Sequence, residues 1–153
     1  VKVLLQRVSR AAVRIRGERV GEISRGLVVF LAAERNDTPR HADYFADKVA
    51  GLRVFPDGQG RMNRSLLEVG GEALVVSQFT LAGSTRRGRR PSFTDAAPAG
   101  EAEALYRRFV EQLEARGVRR VATGVFQAYM EVEILNDGPV TILLDPPPWQ
   151  EEP

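Results

Sequence analysis

The sequence predicts a single α/β domain in which mixed sheets are covered by two helices. Strand-like segments outnumber helical ones by more than two to one. Two apolar runs, "GLVVFLAAE" at 26–34 and "EALVVSQFTL" at 72–81, are continuous instead of alternating, which is the pattern of strands buried on both faces. Two amphipathic helical segments lie between the strand groups. A chain of 153 residues with 43% hydrophobic side chains can bury one core without covalent staples.

From the N-terminus, "KVLLQRV" (2–8) and "AAVRIRG" (11–17) read as two strands, and "RVGEI" (19–23) is expected to pair with the second. The run at 26–34 follows as a buried strand. In "TPRHADYFADKVAGLRVF" (38–55), Thr38 is an N-cap and Pro39 the first helical residue. Tyr44, Phe45, Val49 and Leu52 then recur at helical spacing. After the second buried strand comes "AGSTRRGRRPSFTDAAPAG" (82–100), a long loop of the kind that is usually functional or disordered. The second helix, "GEAEALYRRFVEQLEARG" (100–117), places Ala104, Leu105, Phe109 and Leu113 on one stripe and stops at Gly117. Part of "VRRVATGVFQ" and the segments "YMEVEIL" and "VTILL" close the sheet. The last two are joined by "NDGPVT" (136–141), which reads as a hairpin turn. The Pro-rich tail, 146–153, is expected to be extended or disordered outside a domain spanning 1–145.

Composition excludes several chemistries. Cysteine is absent, so there is no disulfide framework, thiolate nucleophile or cysteine zinc site. The single histidine, His41, reads as a solvated residue in the first turn of a helix, which deprives Ser-His-Asp and Cys-His arrangements of their usual base. No metal-binding motif and no phosphate-cradling Gly-rich loop is present. No apolar run approaches the ~20 residues of a membrane span, and a cytoplasmic protein that needs no cofactor is expected. The net charge of +2 is small, but "RRGRR" (86–90) concentrates four arginines, and the rest of the chain is slightly acidic. Arginine's planar fork suits phosphate. A solvated charge run is the alternative.

Two features remain. In "SQFTLAG" (77–83), the polar side chains of Ser77, Gln78 and Thr80 appear where a buried strand stops, either lining a site or simply satisfying a loop. In "NDGPVT", Pro139 follows the turn at once, where a returning strand needs backbone N–H groups that proline lacks. A rigid turn accounts for it; a recognition element built from fixed carbonyls does so as well.

"LLQRV", "SQFTL", "RRPSF" and "NDGPVT", in this order and spacing, resemble the D-aminoacyl-tRNA deacylases, over residues 2–144. The resemblance implies a three-layer fold of mostly antiparallel sheets, and a metal-free homodimer with its active sites at the interface. The implied activity is hydrolysis of the ester joining a D-amino acid, or glycine, to the 3′ end of tRNA. It also implies that the Gly138-Pro139 peptide is cis and enters the other subunit's pocket, where its backbone holds the substrate's amino group and blocks an L side chain. Ser77, Gln78, Phe79 and Thr80 are the implied half-site around the scissile ester. Thr80 is a nucleophile in principle, but water attack with backbone N–H groups near Phe79 and Thr80 stabilising the oxyanion is preferred. Arg7 is placed as a brace of the Gly-Pro segment or as an ordinary strand-edge charge. Met130 lines the pocket or fills the core. Arg86, Arg87, Arg89 and Arg90 are candidates for tRNA phosphates. The physics fits such a filter: ~10⁴-fold chiral discrimination needs about 5.5 kcal/mol, whereas apolar fit distinguishes a methylene by only about 1–3 kcal/mol. A site that accepts many D side chains must therefore read geometry at Cα. The competing class is a non-catalytic nucleic-acid-binding module, which explains the arginines but gives the Gly-Pro step and the polar strand end no purpose. A general esterase suffers from the missing base.

Overall fold

In the computed structural model, which describes residues 1–150, the organising element is one long strand. β1 (Lys2–Ile15) runs without interruption through the segment read as two strands. One edge of β1 pairs with two successive partners: residues 2–8 with β3 (Gly26–Ala32) and residues 11–15 with β2 (Glu18–Ile23), both antiparallel. Ser9 and Arg10, between the two segments, are the exposed residues where β1 changes partner. On the other side of β3, β6 (Glu72–Ser77) and β7 (Val121–Thr123) add in parallel. Between β3 and β6 the chain forms α1 (Pro39–Gly51), the small pair β4 (Phe55–Pro56) and β5 (Met62–Arg64), and the one-turn helix α2 (Leu66–Val69). The third helix, α3 (Ala99–Ala115), precedes β7.

Alternation along β3 and β6 explains their continuous apolar sequences. Leu27, Val29, Leu31, Ala73 and Val75 point to one face, against Phe45 and Val49 of α1 and Leu105, Phe109 and Leu113 of α3. Val28, Leu74 and Val76 point to the other, where Val8, Val13 and Ile23 of the curled sheet cover them. The sheet curls until β2 approaches β7 so closely that a Cβ on Gly21 would stand 2.4 Å from the Thr123 carbonyl oxygen. Helices, central strands and the folded-over sheet make three layers, with antiparallel pairs in the majority. On α3 the apolar stripe runs through Ala102, Leu105, Tyr106, Phe109 and Leu113; Ala104, expected there, is exposed.

The final strand corrects the hairpin reading. β8 (Glu131–Leu143) is a single strand that pairs antiparallel with β1 on both sides of the "NDGPVT" segment. Thr141 pairs with Gln6 and Asn136 with Val8. Five positions on β8 therefore span two on β1, and residues 137–140 stand out of the ladder. Asn136 does turn chemistry of a different kind: its Oδ1 accepts from the Val140 N–H at 2.8 Å and its Nδ2 donates to Thr141 Oγ1 at 3.1 Å. The chain bulges out and rejoins the same strand, so proline's missing N–H costs the ladder nothing.

His41 is buried, not solvated, with 7% exposure. Its Nδ1 accepts from the Thr38 backbone N–H at 3.0 Å, closing the start of α1, and its Nε2 lies 2.8 Å from Gln150 Nε2. The first part of the tail is also docked. Residues Pro148–Gln150 form a 3₁₀ turn, and Trp149 meets Tyr44 edge-on at 5.1 Å and stacks under the Arg40 guanidinium at 3.9 Å. An indole with a helix surface to cover explains why this stretch does not extend into solvent. The remaining tail residues, 151–153, lie outside the described residues. No helix among the described residues is long and apolar enough to cross a membrane.

Candidate active site

At the C-terminal end of β6 the apolar run stops at Ser77, and the chain turns through Gln78 into a 3₁₀ turn, Phe79–Ala82. The Gln78 N–H is tied to the Leu31 carbonyl at 2.8 Å, which fixes the turn to the end of β3. In a 3₁₀ turn the leading N–H groups have no partner within the turn. The amides of Phe79 and Thr80 accordingly have no hydrogen-bond acceptor among the described residues. Gln78 Nε2 donates to Thr80 Oγ1, so the two polar side chains orient each other.

These residues form one wall of a cavity of about 670 Å³. Ser77, Gln78, Phe79 and Thr80 all line it, as does Met130. The opposite wall comes from sequence-distant places: Ala96 and Ala97 from the long loop, Ala102 and Tyr106 from α3, and the 126–129 turn. Sequence reasoning missed these. Three alanines carry no chemistry to notice, and Tyr106 reads as one more core aromatic. Its Oη donates to the Val75 carbonyl at 3.0 Å, while burial pushes the phenol's pKa up, so it stays a neutral donor. Met130 serves both suggested roles, because it lines the cavity and also packs into the second core, with its sulfur against the Gly124–Val125 backbone.

Gly138 and Pro139 are not among the residues lining this cavity. Val132 lines it, and Asn136, where the bulge carrying Gly138 leaves the ladder, stands four positions farther along β8, on the order of 13 Å at about 3.3 Å per residue. The Gly138-Pro139 peptide is cis, and Gly138 has φ +138°. Arg7 is folded against this segment. Its Nε donates to the Asp137 carbonyl at 3.0 Å and its Nη1 to the Val54 carbonyl at 2.7 Å, with the side chain only 11% exposed. A Cβ on Gly138 would meet Arg7 Nη2 at 3.1 Å and Val140 Cγ2 at 2.8 Å. Within the chain, then, the two motifs occupy different places on the surface.

Arg86, Arg87, Arg89 and Arg90 lie on an exposed loop whose base is closed by reciprocal backbone hydrogen bonds between Ser84 and Ser92 at 2.7 and 2.9 Å. None of the four lines the main cavity. The loop is joined to it through Phe93, which meets Phe79 edge-on at 5.2 Å. No group of three or more potential metal-ligating side chains occurs among the described residues.

An apolar cavity of one-ligand size, with a polar strand end in its wall and two amides that have no acceptor among the described residues, is a candidate active site on an α/β scaffold. The family model described as D-Tyr-tRNA(Tyr) deacylase matches residues 4–145. A D-aminoacyl-tRNA deacylase of Symbiobacterium thermophilum is 59% identical over 145 residues, covering 95% of each chain, and one of Thermotoga petrophila is 53% identical over 95% of this chain and 97% of its own. Among solved structures, one described as a c-Myc DNA unwinding element binding protein superposes with TM-score 0.90 at 40% identity, over 96% of this chain and 99% of its own. A probable eukaryotic D-amino acid tRNA deacylase superposes with TM-score 0.79 at 21% identity, over 94% and 97%, and shares the fold. The chain belongs to the D-aminoacyl-tRNA deacylase family, and with it to the hydrolases that act on the ester bonds of aminoacyl-tRNA.

Proposed function

We propose that this protein releases D-amino acids, and glycine, from tRNA by ester hydrolysis and spares L-aminoacyl-tRNA. It does so as a homodimer in which the Gly138-Pro139 segment of one subunit closes over the Ser77–Thr80 cavity of the other. The observation that carries this reading is the separation of the two motifs within one protomer. The segment protrudes from its strand, braced by Arg7, with nothing of its own chain's cavity beneath it. β8 supports the dimer as well, for it is an edge strand that exposes Leu135 and Leu143 by 50% and 62%. Exposed apolar edges of this kind call for a covering partner.

For the chemical step, the terminal ribose ester sits at the mouth of the cavity with its carbonyl oxygen toward the Phe79 and Thr80 amides. These are preset donors for the negative charge that develops as water attacks. The activated aminoacyl ester and its neighbouring 2′-hydroxyl supply reactivity and a proton route, and positioning does the remainder. His41 is engaged at the start of α1 and takes no part. At the amino-acid end, backbone carbonyls of the Gly138-Pro139 segment hold the ammonium and leave one direction from Cα open. Glycine passes because it has no side chain to collide with that wall. Arg86, Arg87, Arg89 and Arg90 contact tRNA phosphates.

The test is release of amino acid from matched D- and L-tyrosyl-tRNA by the purified protein. Rapid loss of the D form with the L form intact is expected; equal loss of both, or of neither, contradicts the proposal. A second reading is a nucleic-acid-binding module without catalysis. The description of the 40%-identical structure as a DNA-unwinding-element binding protein favours it, and so does the exposed arginine loop. Binding of both tRNAs with hydrolysis of neither is its signature.

A further inference from the structure

A second, polar cavity of about 380 Å³ is lined by Lys2, Ala82–Arg86 and Asp95, next along the chain to residues that line the first. Its walls continue those of the main cavity. Ser77–Thr80 line the first and Ala82–Arg86 the second; Ala96 and Ala97 line the first and Asp95 the second. Along the 3₁₀ turn the step from Thr80 to Gly83 is about 6 Å at about 2.0 Å per residue. That compares with about 3.4 Å per nucleotide in a stacked strand, and more in an extended one. The second cavity thus lies about one nucleotide from the place where the terminal ribose ester must sit.

Its chemistry is specific. Lys2 and Arg86 are exposed and form no ion pair among the described residues. Ser84 and Thr85 add hydroxyls between them. A bare-anion site would not keep a carboxylate, yet Asp95 faces the same space. Two cations and one acceptor suit a ligand that carries an anion and a hydrogen-bond donor side by side, which a ribonucleotide does through its phosphate and 2′-hydroxyl.

Resting on the deacylase reading above, we infer that this cavity is a subsite for the ribonucleotide next to the terminal adenosine. Lys2 and Arg86 hold the phosphodiester that links the two, and Asp95 accepts from the penultimate 2′-hydroxyl. Binding there sets the register of the 3′ end, so the ester reaches the Phe79 and Thr80 amides without any base being read.

The experiment compares three D-tyrosyl esters: of adenosine, of the dinucleotide cytidylyl-(3′→5′)-adenosine, and of the same dinucleotide with a neutral methylphosphonate link. The protein is expected to show a kcat/KM for the dinucleotide about fivefold or more above that for the nucleoside, at the upper end for one exposed charge pair. The methylphosphonate loses most of that advantage. Lys2→Gln lowers the dinucleotide-to-nucleoside ratio by about fivefold, and Lys2→Glu lowers it further. Equal kcat/KM for dinucleotide and nucleoside overturns the subsite, as does a ratio unmoved by both Lys2 substitutions. Hydrolysis of none of the three esters removes the deacylase reading and the subsite with it, an outcome distinct from the others because those give measurable rates.

Discussion

Replacing Arg7 with alanine deletes two hydrogen bonds from one charged group, to the Val54 carbonyl at 2.7 Å and to the Asp137 carbonyl at 3.0 Å. Hydrogen bonds to charged groups contribute about 1.5–3 kcal/mol each. The Asp137 bond is solvent-exposed and the Val54 bond partly buried, so the low end applies, about 3 kcal/mol in all. The two halves act on different properties. The Val54 bond ties β1 to the chain after α1, and its loss should lower the unfolding free energy in urea by about 1.5 kcal/mol with an unchanged m-value. The Asp137 bond holds the segment carrying Gly138 and Pro139, and its loss should cut discrimination between D- and L-tyrosyl-tRNA by about tenfold, since 1.4 kcal/mol is a factor of ten. Arg7→Lys keeps the charge but not the fork, and should recover part of the stability and little of the discrimination. Unchanged discrimination in an Arg7→Ala protein that is destabilised as expected would refute the bracing argument.

Three further outcomes follow from the same geometry. Thr80→Ala should retain kcat within about tenfold, because the amides remain, whereas loss of an essential nucleophile costs about 10⁴–10⁶-fold; turnover that vanishes with tRNA binding intact requires a side-chain route. Arg86→Ala/Arg87→Ala should reduce the log–log salt slope of tRNA binding by roughly 0.7–0.9 per lost phosphate contact, and an unmoved slope takes these arginines out of the footprint. At the buried Glu72, burial pushes the carboxyl pKa up. The Ser24 N–H at 2.8 Å and hydroxyl at 2.9 Å, with Arg119 at 2.9 Å, outweigh that and hold it below the ordinary value. The carboxylate's contribution is then complete above the unfolded-state value of about 4.3 and fades as pH falls through the lower folded-state value. Urea titrations of Glu72→Gln against the unaltered chain should diverge at pH 7 and converge in acid; a constant difference down to pH 2 would contradict this.

Local signals were readable in the sequence wherever one element made its own case. Thr38-Pro39 announced α1, and the runs at 26–34 and 72–81 announced the two strands buried on both faces. Misreadings arose where a partner elsewhere in the chain decided the outcome. Residues 2–8 and 11–17 read as two strands, but β8 pairs along β1 on both sides of Ser9 and keeps it one strand. Asn136-Asp137-Gly138 looked like a hairpin, since nothing local says that the chain will rejoin the strand it left. His41 looked solvated and the tail free because each meets its partner only across the fold: His41 is buried, and Trp149 packs against it. The site divides in the same way. Its polar half, Ser77–Thr80, is contiguous and visible, whereas the alanines and Tyr106 opposite gain meaning only when α3 packs over β6.

We propose that one subunit's Gly138-Pro139 segment completes the other's Ser77–Thr80 cavity. The chain has no cysteine, which makes a direct measurement simple. Tyr129, 92% exposed at the rim of the cavity, and Asp137, exposed beside the motif, are replaced by cysteine in separate preparations, which are mixed under exchange and mildly oxidised. A covalent mixed dimer is expected on a non-reducing gel, formed faster than either homodimer and still able to release D-tyrosine from tRNA. Cross-linking no faster than that of two unrelated exposed cysteines would contradict it.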